Sequence, residues 1–129
     1  MPLVRLEVRQ GRSPTHKLAL LQATHDALVE ALQIPEDDRM QRIVEHAVDD
    51  FELPPGASED FVLVEVTMFP GRSVQAKRRL HQALVRNLGE LGIPPGDVFI
   101  VLQEPPMENW GIRGGRMASE VDLGFEVQV

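Results

Sequence analysis

The sequence contains no cysteine, and this absence removes several classes of chemistry at once. Disulfide bonds, zinc sites built from thiolates and cysteine nucleophiles are all excluded. A redox reaction would need a bound cofactor, and we expect none. The lack of cysteine also suits the reducing cytoplasm, where we expect the protein to act.

Two further deficits restrict the partners. Acidic residues outnumber basic ones, 20 against 13, so the net charge is −7 and the chain lacks the positive charge that attracts a nucleic acid backbone. No apolar run approaches the length of a membrane span, and Arg5 and Glu7 interrupt the amino-terminal apolar stretch that a signal peptide needs. We expect a soluble protein of one compact domain, with neither nucleic acid nor a membrane as a partner.

What the sequence does contain is an internal repeat. Residues 4–23, VRLEVRQGRSPTHKLALLQA, match residues 64–83, VEVTMFPGRSVQAKRRLHQA, at a shift of 60, and both segments include Gly-Arg-Ser. At a shift of 59, further matches pair Ile34, Pro35 and Asp38 with Ile93, Pro94 and Asp97. The chain is therefore predicted to consist of two copies of one supersecondary unit.

Each copy has the pattern of a strand, a helix and a second strand. Val4, Leu6 and Val8 alternate with charged residues, which is typical of a half-buried strand. Ser13 and Pro14 predict a helix start, and Pro35 ends that helix. The segments 40–46 and 98–103 supply the second strands, the latter predicted as fully buried. Leucines at helical spacing should face the core: Leu18, Leu21, Leu28 and Leu32, and then Leu80, Leu84, Leu88 and Leu91.

The predicted fold class is α+β, with two fused β-α-β units forming a four-stranded mixed sheet that has both helices on one face. Right-handed crossovers place the two helices on the same side. Another subunit should cover the bare face of the sheet, so we expect a homo-oligomer. The single domain divides into a first unit over residues 1–52, a second unit over 61–104, and a C-terminal turn and edge strand over 105–129.

The proline that follows the initiator methionine is the most distinctive candidate for chemistry. If Met1 is removed, as is usual before a small residue, Pro2 is a secondary amine whose free lone pair makes it a base. The alternative is structural, because proline is tolerated at the first position of a strand. The second copy has Val62 at the corresponding position, so the strand does not require proline.

Other candidates carry both a functional and a structural interpretation. Arg72 lies beside a predicted helix N-terminus, where backbone amides and a guanidinium favour a carboxylate, although its duplicate Arg12 favours a structural role for the motif. His25 occupies the apolar stripe of the first helix, as a core residue or a substrate contact. Asp38 lies in a turn, where aspartate is common for local reasons. Trp110 is a pocket wall or a subunit contact. No metal-ligand spacing is present, so no metal site is predicted.

An amino-terminal Met-Pro followed by a strand, and two fused β-α-β units in a chain of this length, resemble the tautomerase superfamily. The segments HDALVEALQIPEDDRMQRIVEH, FPGRS and ENWGIRGGRMA resemble the branch containing malonate semialdehyde decarboxylase and its uncharacterised relatives. The resemblance implies a trimer with pockets at subunit boundaries. It also implies that Pro2 is the catalytic group, that Arg72 binds the substrate carboxylate, that Asp38 assists the proline and that Trp110 forms a pocket wall.

Three functional hypotheses follow. The leading one is a keto-enol tautomerase of small 2-oxo acids such as phenylpyruvate, in which neutral Pro2 moves a proton while Arg72 binds the carboxylate. The second is a decarboxylase or hydratase of a 3-oxo or unsaturated acid, in which Asp38 keeps Pro2 protonated. The third is a non-catalytic oligomeric binding module. Where the decarboxylase has two arginines around FPGRS, this chain has only Arg72, and a replacement elsewhere is left open.

Overall fold

A computed structural model of the protein describes residues 2–129, so the predicted removal of Met1 lies outside the described residues. The two predicted β-α-β units are present. The main elements are β1 (Leu3–Arg9), α1 (Pro14–Leu32), β2 (Gln41–His46), β3 (Val62–Thr67), α2 (Val74–Gly89), β4 (Val98–Gln103), and a short hairpin of β5 (Gly111–Ile112) and β6 (Arg116–Met117).

The four long strands form one mixed sheet in the order β2-β1-β3-β4. Within each unit the strands are parallel, and the two units join through the antiparallel pair β1 and β3. Both helices pack on one face, where alternate residues of β1 and β3 form the core with α1 and α2. This arrangement confirms the predicted α+β fold.

The two helices begin in the same way because the two copies share a serine cap. The hydroxyl oxygen of Ser13 accepts a hydrogen bond from the backbone N–H of His16 at 3.1 Å. Ser73 does the same for Ala76, also at 3.1 Å. Each cap satisfies one of the backbone donors left free in the first turn of a helix.

Two of the burial predictions are wrong. Leu18 is 68% exposed, because the core-facing stripe of α1 runs through residues that hide the periodicity: Leu20, Thr24, Ala27, Leu28 and Ala31. The strand β4 is not fully buried, because it lies at the edge of the sheet and exposes Phe99 and Val101 on the face without helices. A continuous apolar run does not distinguish a central strand from an edge strand that is exposed on one face in the single protomer.

The helix-free face of the sheet combines charged pairs with apolar residues. Arg5 of β1 pairs with Glu65 of β3 at 2.6 Å, and Glu7 contacts His46 of β2 at 3.0 Å. The charges at the centre of this face therefore have partners within the chain. Phe99 and Val101 leave its β4 side apolar.

The C-terminal segment packs over the end of the sheet. Residues 121–129 form no strand within the chain. The edge strand expected here would pair with a neighbouring subunit, and it stays a prediction. Leu123, Phe125 and Val127 instead pack against a small buried cluster of Phe69, Trp110 and Ala118. Among residues 2–129, neither α1 nor α2 is long and apolar enough to cross a membrane.

Candidate active site

Several segments converge at the end of the sheet where β1 begins. The N–H of Val4 donates to the carbonyl of Met40 at 3.0 Å, which holds the approach to β2 beside the start of β1. Leu3 pairs with Thr67, so β3 finishes at this end and continues into the FPGRS segment. Pro2 is buried directly before β1. The topology thus brings Pro2, the turn containing Asp38 and the Arg72 segment to one end of the molecule.

A cavity of about 210 Å³ lies at this end. Its wall is largely apolar and contains two residues of opposite charge, Asp38 and Arg113. The remaining lining residues are Pro35, Phe69, Ile112, Leu123 and Phe125. A mainly apolar wall with a few charged groups is typical of a site that binds and orients a small organic acid.

Arg72 lies behind Phe69 with two unused donors. It is only 6% exposed, and its Nη1 donates to the backbone carbonyl of Phe69 at 3.0 Å. Its Nε and Nη2 are buried and have no hydrogen-bond partner among the described residues. Burial lowers the pKa of Arg72 from its ordinary value, while the negative charges of Glu104 and Asp38 oppose that lowering. A buried guanidinium with free donors is well suited to bind a carboxylate.

The first copy of the repeat provides an internal comparison. Arg12 Nη1 donates to the carbonyl of Arg9 at 3.4 Å, in the position equivalent to the bond between Arg72 and Phe69. In addition, Arg12 Nη2 donates to the carbonyl of Asp60 at 2.6 Å. The two arginines therefore share one structural hydrogen bond, and they differ in that Nη2 is satisfied in Arg12 but free in Arg72.

The two aspartates of the repeat have different surroundings. They occupy equivalent turns in the two copies. The N–H of Asp38 donates to the carbonyl of Pro35 at 3.1 Å, and the N–H of Asp97 donates to the carbonyl of Pro94 at 2.9 Å. The carboxylate of Asp97 is buried and accepts hydrogen bonds from the N–H and hydroxyl of Ser58. Asp38 instead contributes to the cavity wall. Only the first copy presents its aspartate to the cavity.

The other two candidates lie behind the wall. Trp110 contacts Phe69 edge to face, with ring centroids 4.7 Å apart, and its Nε1 donates to the carbonyl of Pro105 at 3.1 Å. It therefore supports the cavity wall from behind. His25 is 1% exposed within α1, and its Nε2 lies 2.9 Å from the carbonyl oxygen of Glu36. Neither side chain lines the cavity. Of the candidates from the sequence, Asp38 lines the wall, and Pro2, Arg72, Trp110 and His25 lie near it.

Sequence reasoning missed Arg113 and the C-terminal residues of the wall. Arg113 has φ of 49°, at the tip of the β5–β6 turn. Its Nη1 donates to the carbonyl of Asp122 at 2.6 Å, which fastens the C-terminal segment beside the cavity. The glycines after Arg113 correctly predicted a turn, but no local pattern indicates which distant segment that turn contacts.

The C-terminal segment also contacts both chain neighbours of Arg72. Ser73, the next residue, donates its hydroxyl to the carbonyl of Val129 at 2.8 Å. Gly71 has φ of 128°, and a Cβ there would lie 3.3 Å from Val127 Cγ2. Glycine is required at this position by both its backbone conformation and the close approach of the segment. Among residues 2–129, no group of histidines and carboxylates is arranged to hold a metal ion.

Comparison with protein families identifies related sequences. The profile of a family described as Tautomerase enzyme matches residues 38–113, and a second profile of the same description matches residues 2–54. A probable tautomerase of Bacillus subtilis (strain 168), YusQ, is 29% identical over 122 residues, which cover 90% of this chain and 96% of that protein.

Solved structures show the same architecture. The FG41 malonate semialdehyde decarboxylase inhibited by 3-bromopropiolate is 32% identical, with a TM-score of 0.81 over 88% of this chain and 91% of that one. A fused 4-OT solved as a wild-type symmetric trimer is also 32% identical, with a TM-score of 0.80 over 91% of this chain and 96% of that one. These similarities extend over both copies of the repeat and favour an enzyme over a non-catalytic module.

Proposed function

The chain belongs to the tautomerase family, and we propose that it is a cofactor-independent keto-enol tautomerase of small 2-oxo acids, with phenylpyruvate as a representative substrate. Pro2, freed by removal of Met1, is the general base and acid in this proposal. Arg72 binds the substrate carboxylate, and Asp38 adjusts the charge beside the proline.

The observation that carries the proposal is the buried guanidinium of Arg72, whose Nε and Nη2 have no hydrogen-bond partner among residues 2–129. The guanidinium lies behind Phe69, a wall residue of the largely apolar cavity. Leaving a buried charged donor unsatisfied is costly, and a carboxylate is the ligand that removes the cost for a guanidinium. The apolar residues of the wall suit an alkyl or aryl substituent on the same acid.

The proposed mechanism requires Pro2 to be neutral. Burial disfavours the ammonium form and lowers the pKa of the amine, and the positive charge of Arg72 acts in the same direction, whereas Asp38 opposes them. The neutral nitrogen removes a proton from the carbon next to the 2-oxo group, and the same proton is returned to oxygen as the enol forms. The reverse transfer ketonises an enol, with no net change in atoms.

Ketonisation of phenylpyruvate enol tests the proposal. The wild type should accelerate the reaction, its rate should rise with pH through a value below the pKa of free proline, and Pro2→Ala should lose most of the activity. Intact mass of protein from its native host establishes whether Met1 is absent. Wild-type activity equal to that of Pro2→Ala, in protein shown to have a free Pro2, would overturn the proposal.

Arg113 favours a second candidate function, decarboxylation or hydration of a 3-oxo or unsaturated acid. It provides a guanidinium at the cavity wall, where the FPGRS segment has only Arg72. In this case Asp38 keeps Pro2 protonated, and the ammonium group polarises a carbonyl or protonates carbon. Release of carbon dioxide from malonate semialdehyde by the wild type, and its loss in Arg113→Gln with tautomerase activity retained, is the result that supports this candidate.

A homotrimer is the assembly that we propose. The fused 4-OT relative is a symmetric trimer, and the helix-free face of the present sheet is exposed along β4. In this arrangement that face contacts the neighbouring protomers.

A further inference from the structure

His25 is a buried polar residue that the proposed reaction does not use directly. It is 1% exposed, and its ring lies among the core-facing residues of α1. Its Nε2 is 2.9 Å from the carbonyl oxygen of Glu36, eleven residues further along the chain. This hydrogen bond joins the middle of α1 to the loop that precedes β2.

The partner fixes the protonation of the ring. A carbonyl oxygen only accepts hydrogen bonds, so Nε2 of His25 carries a proton and donates it to Glu36. Nδ1 is buried and has no partner among residues 2–129. An apolar side chain would avoid this unsatisfied atom, so packing alone does not favour histidine here. The hydrogen bond to Glu36 therefore offsets the free-energy cost of burying Nδ1 without a partner.

The loop held by this bond forms part of the cavity. Pro35 precedes Glu36 and Asp38 follows it by two residues, and both line the wall. The N–H of Asp38 donates to the carbonyl of Pro35 at 3.1 Å, and this hydrogen bond closes the turn. The Glu36 carboxylate itself is largely exposed and lies 3.6 Å from His25 Nε2, outside the range of a short hydrogen bond.

We infer that His25 is a positioning residue, which donates from Nε2 to the carbonyl of Glu36 and thereby holds the Pro35–Asp38 turn so that the Asp38 carboxylate faces the cavity. This inference rests on the proposed function, in which Asp38 adjusts the charge at Pro2. His25 itself contacts no substrate.

The second copy of the repeat supports the assignment. The position equivalent to His25 is Val85, whose side chain has no hydrogen-bond donor. The matching aspartate, Asp97, is held instead by its own carboxylate, which accepts from Ser58. In the second copy the carboxylate of Asp97 holds the turn through Ser58. In the first copy His25 holds the turn through the backbone carbonyl of Glu36, and Asp38 lines the cavity.

Three variants test the inference. His25→Leu removes the donor, whereas His25→Gln supplies an amide N–H that reaches the position of Nε2. Thr24→Val is the matched control, since Thr24 is equally buried and its hydroxyl bonds only within α1, to Leu20. We expect kcat/KM for phenylpyruvate enol to fall about tenfold in His25→Leu, in line with the loss of one buried hydrogen bond. The pH-rate profile should shift in that variant, His25→Gln should recover most of the activity, and Thr24→Val should match the wild type.

A double-mutant comparison separates positioning from general stability. If His25 acts through Asp38, then His25→Leu lowers kcat/KM in the wild type but not in Asp38→Asn. Equal losses in both backgrounds, or equal losses in His25→Gln and His25→Leu, would overturn the inference. If His25→Leu does not fold, His25→Asn, whose amide is too short to reach Glu36, takes its place in each comparison.

The outcomes also distinguish this inference from the proposed function. Full activity in both Pro2→Ala and Asp38→Asn contradicts the proposed function. Loss of activity in those two variants, with wild-type kcat/KM and an unchanged pH profile in His25→Leu, contradicts only the positioning role of His25.

Discussion

Arg72 and its copy Arg12 have the same neighbours along the chain but different hydrogen bonds. Both donate through Nη1 to a carbonyl three residues earlier, which explains why the motif occurs twice. Among residues 2–129, Nη2 of Arg12 has a hydrogen-bond partner and Nη2 of Arg72 has none. The comparison thus separates the two donors of the motif. Nη1 makes the structural hydrogen bond that both arginines share, and Nη2 of Arg72 is the donor that we propose for the substrate.

Matched substitutions at these two arginines should have different effects. Arg72→Gln removes charge-assisted hydrogen bonds to the substrate carboxylate, worth about 1.5–3 kcal/mol, so we expect kcat/KM to fall about 10- to 100-fold. Arg12→Gln should leave kcat/KM near that of the wild type and lower only the free energy of unfolding. Steady-state kinetics and urea unfolding measure the two quantities. Similar kinetic losses in both variants would contradict a substrate-binding role for Arg72.

His81 gives stability a pH dependence at the residue scale. Burial lowers its pKa below the ordinary value for histidine, so the unfolded chain binds its proton at a higher pH than the folded chain does. The stabilisation is complete above the unfolded pKa and is lost as pH falls from about 6.5 toward the lower folded pKa. His81→Gln should therefore lose less of its free energy of unfolding than the wild type between pH 7 and pH 5, as measured by urea titration. A steeper loss in the variant would contradict the lowered pKa.

Ser13 and Ser73 cap their helices in the same way, yet only Ser73 contacts the C-terminal segment. Ser13→Ala and Ser73→Ala each remove an N-cap, and each should lower the free energy of unfolding by about 1 kcal/mol. Ser73 also donates to the carbonyl of Val129, so its loss loosens the segment that contacts both chain neighbours of Arg72. We expect KM to rise in Ser73→Ala and to stay unchanged in Ser13→Ala. Equal KM values in the two variants would show that this hydrogen bond does not affect the site.

The elements with local signals were predictable from sequence, and the packing of the C-terminal segment against its own chain was not. Strand alternation, serine caps and the repeat located the elements of both units, because each signal depends on neighbouring residues. The alternation of VDLGFEVQV is also real, since Leu123, Phe125 and Val127 are half-buried while the residues between them are exposed. This alternation indicates that one side of an extended segment is buried, whereas a strand also needs a second segment to hydrogen-bond with.

The same limit applies to the candidate site. The sequence context singled out Pro2, a secondary amine if Met1 is removed, and Arg72, a guanidinium beside a helix start. Asp38 was selected only through the family resemblance, because an aspartate in a turn is common for local reasons. Arg113 reaches the cavity through a backbone contact with Asp122 that no spacing encodes. His25 looked like either a core residue or a substrate contact, and its partner Glu36 becomes evident only when α1 and the following loop are packed.

At the scale of the whole molecule, the helix-free sheet face bears on assembly. Phe99 is 56% exposed there, on the edge strand β4. In the proposed trimer, Phe99→Lys places a charge in an apolar contact, so we expect a smaller species by analytical ultracentrifugation. Leu18→Lys is the matched control, because Leu18 is 68% exposed on α1, on the opposite side of the sheet. An unchanged trimer in Phe99→Lys would exclude this face as the contact.

The asymmetry between Arg12 and Arg72, and between Asp97 and Asp38, also fixes a stoichiometry. The two copies of the repeat are geometrically equivalent, but a polypeptide has one terminal amine. At the other end of the sheet the guanidinium of Arg12 donates to the carbonyl of Asp60. Doubling the structural unit therefore does not double the reactive capacity. An electrophile that titrates the terminal amine should reach its end point at one equivalent per polypeptide.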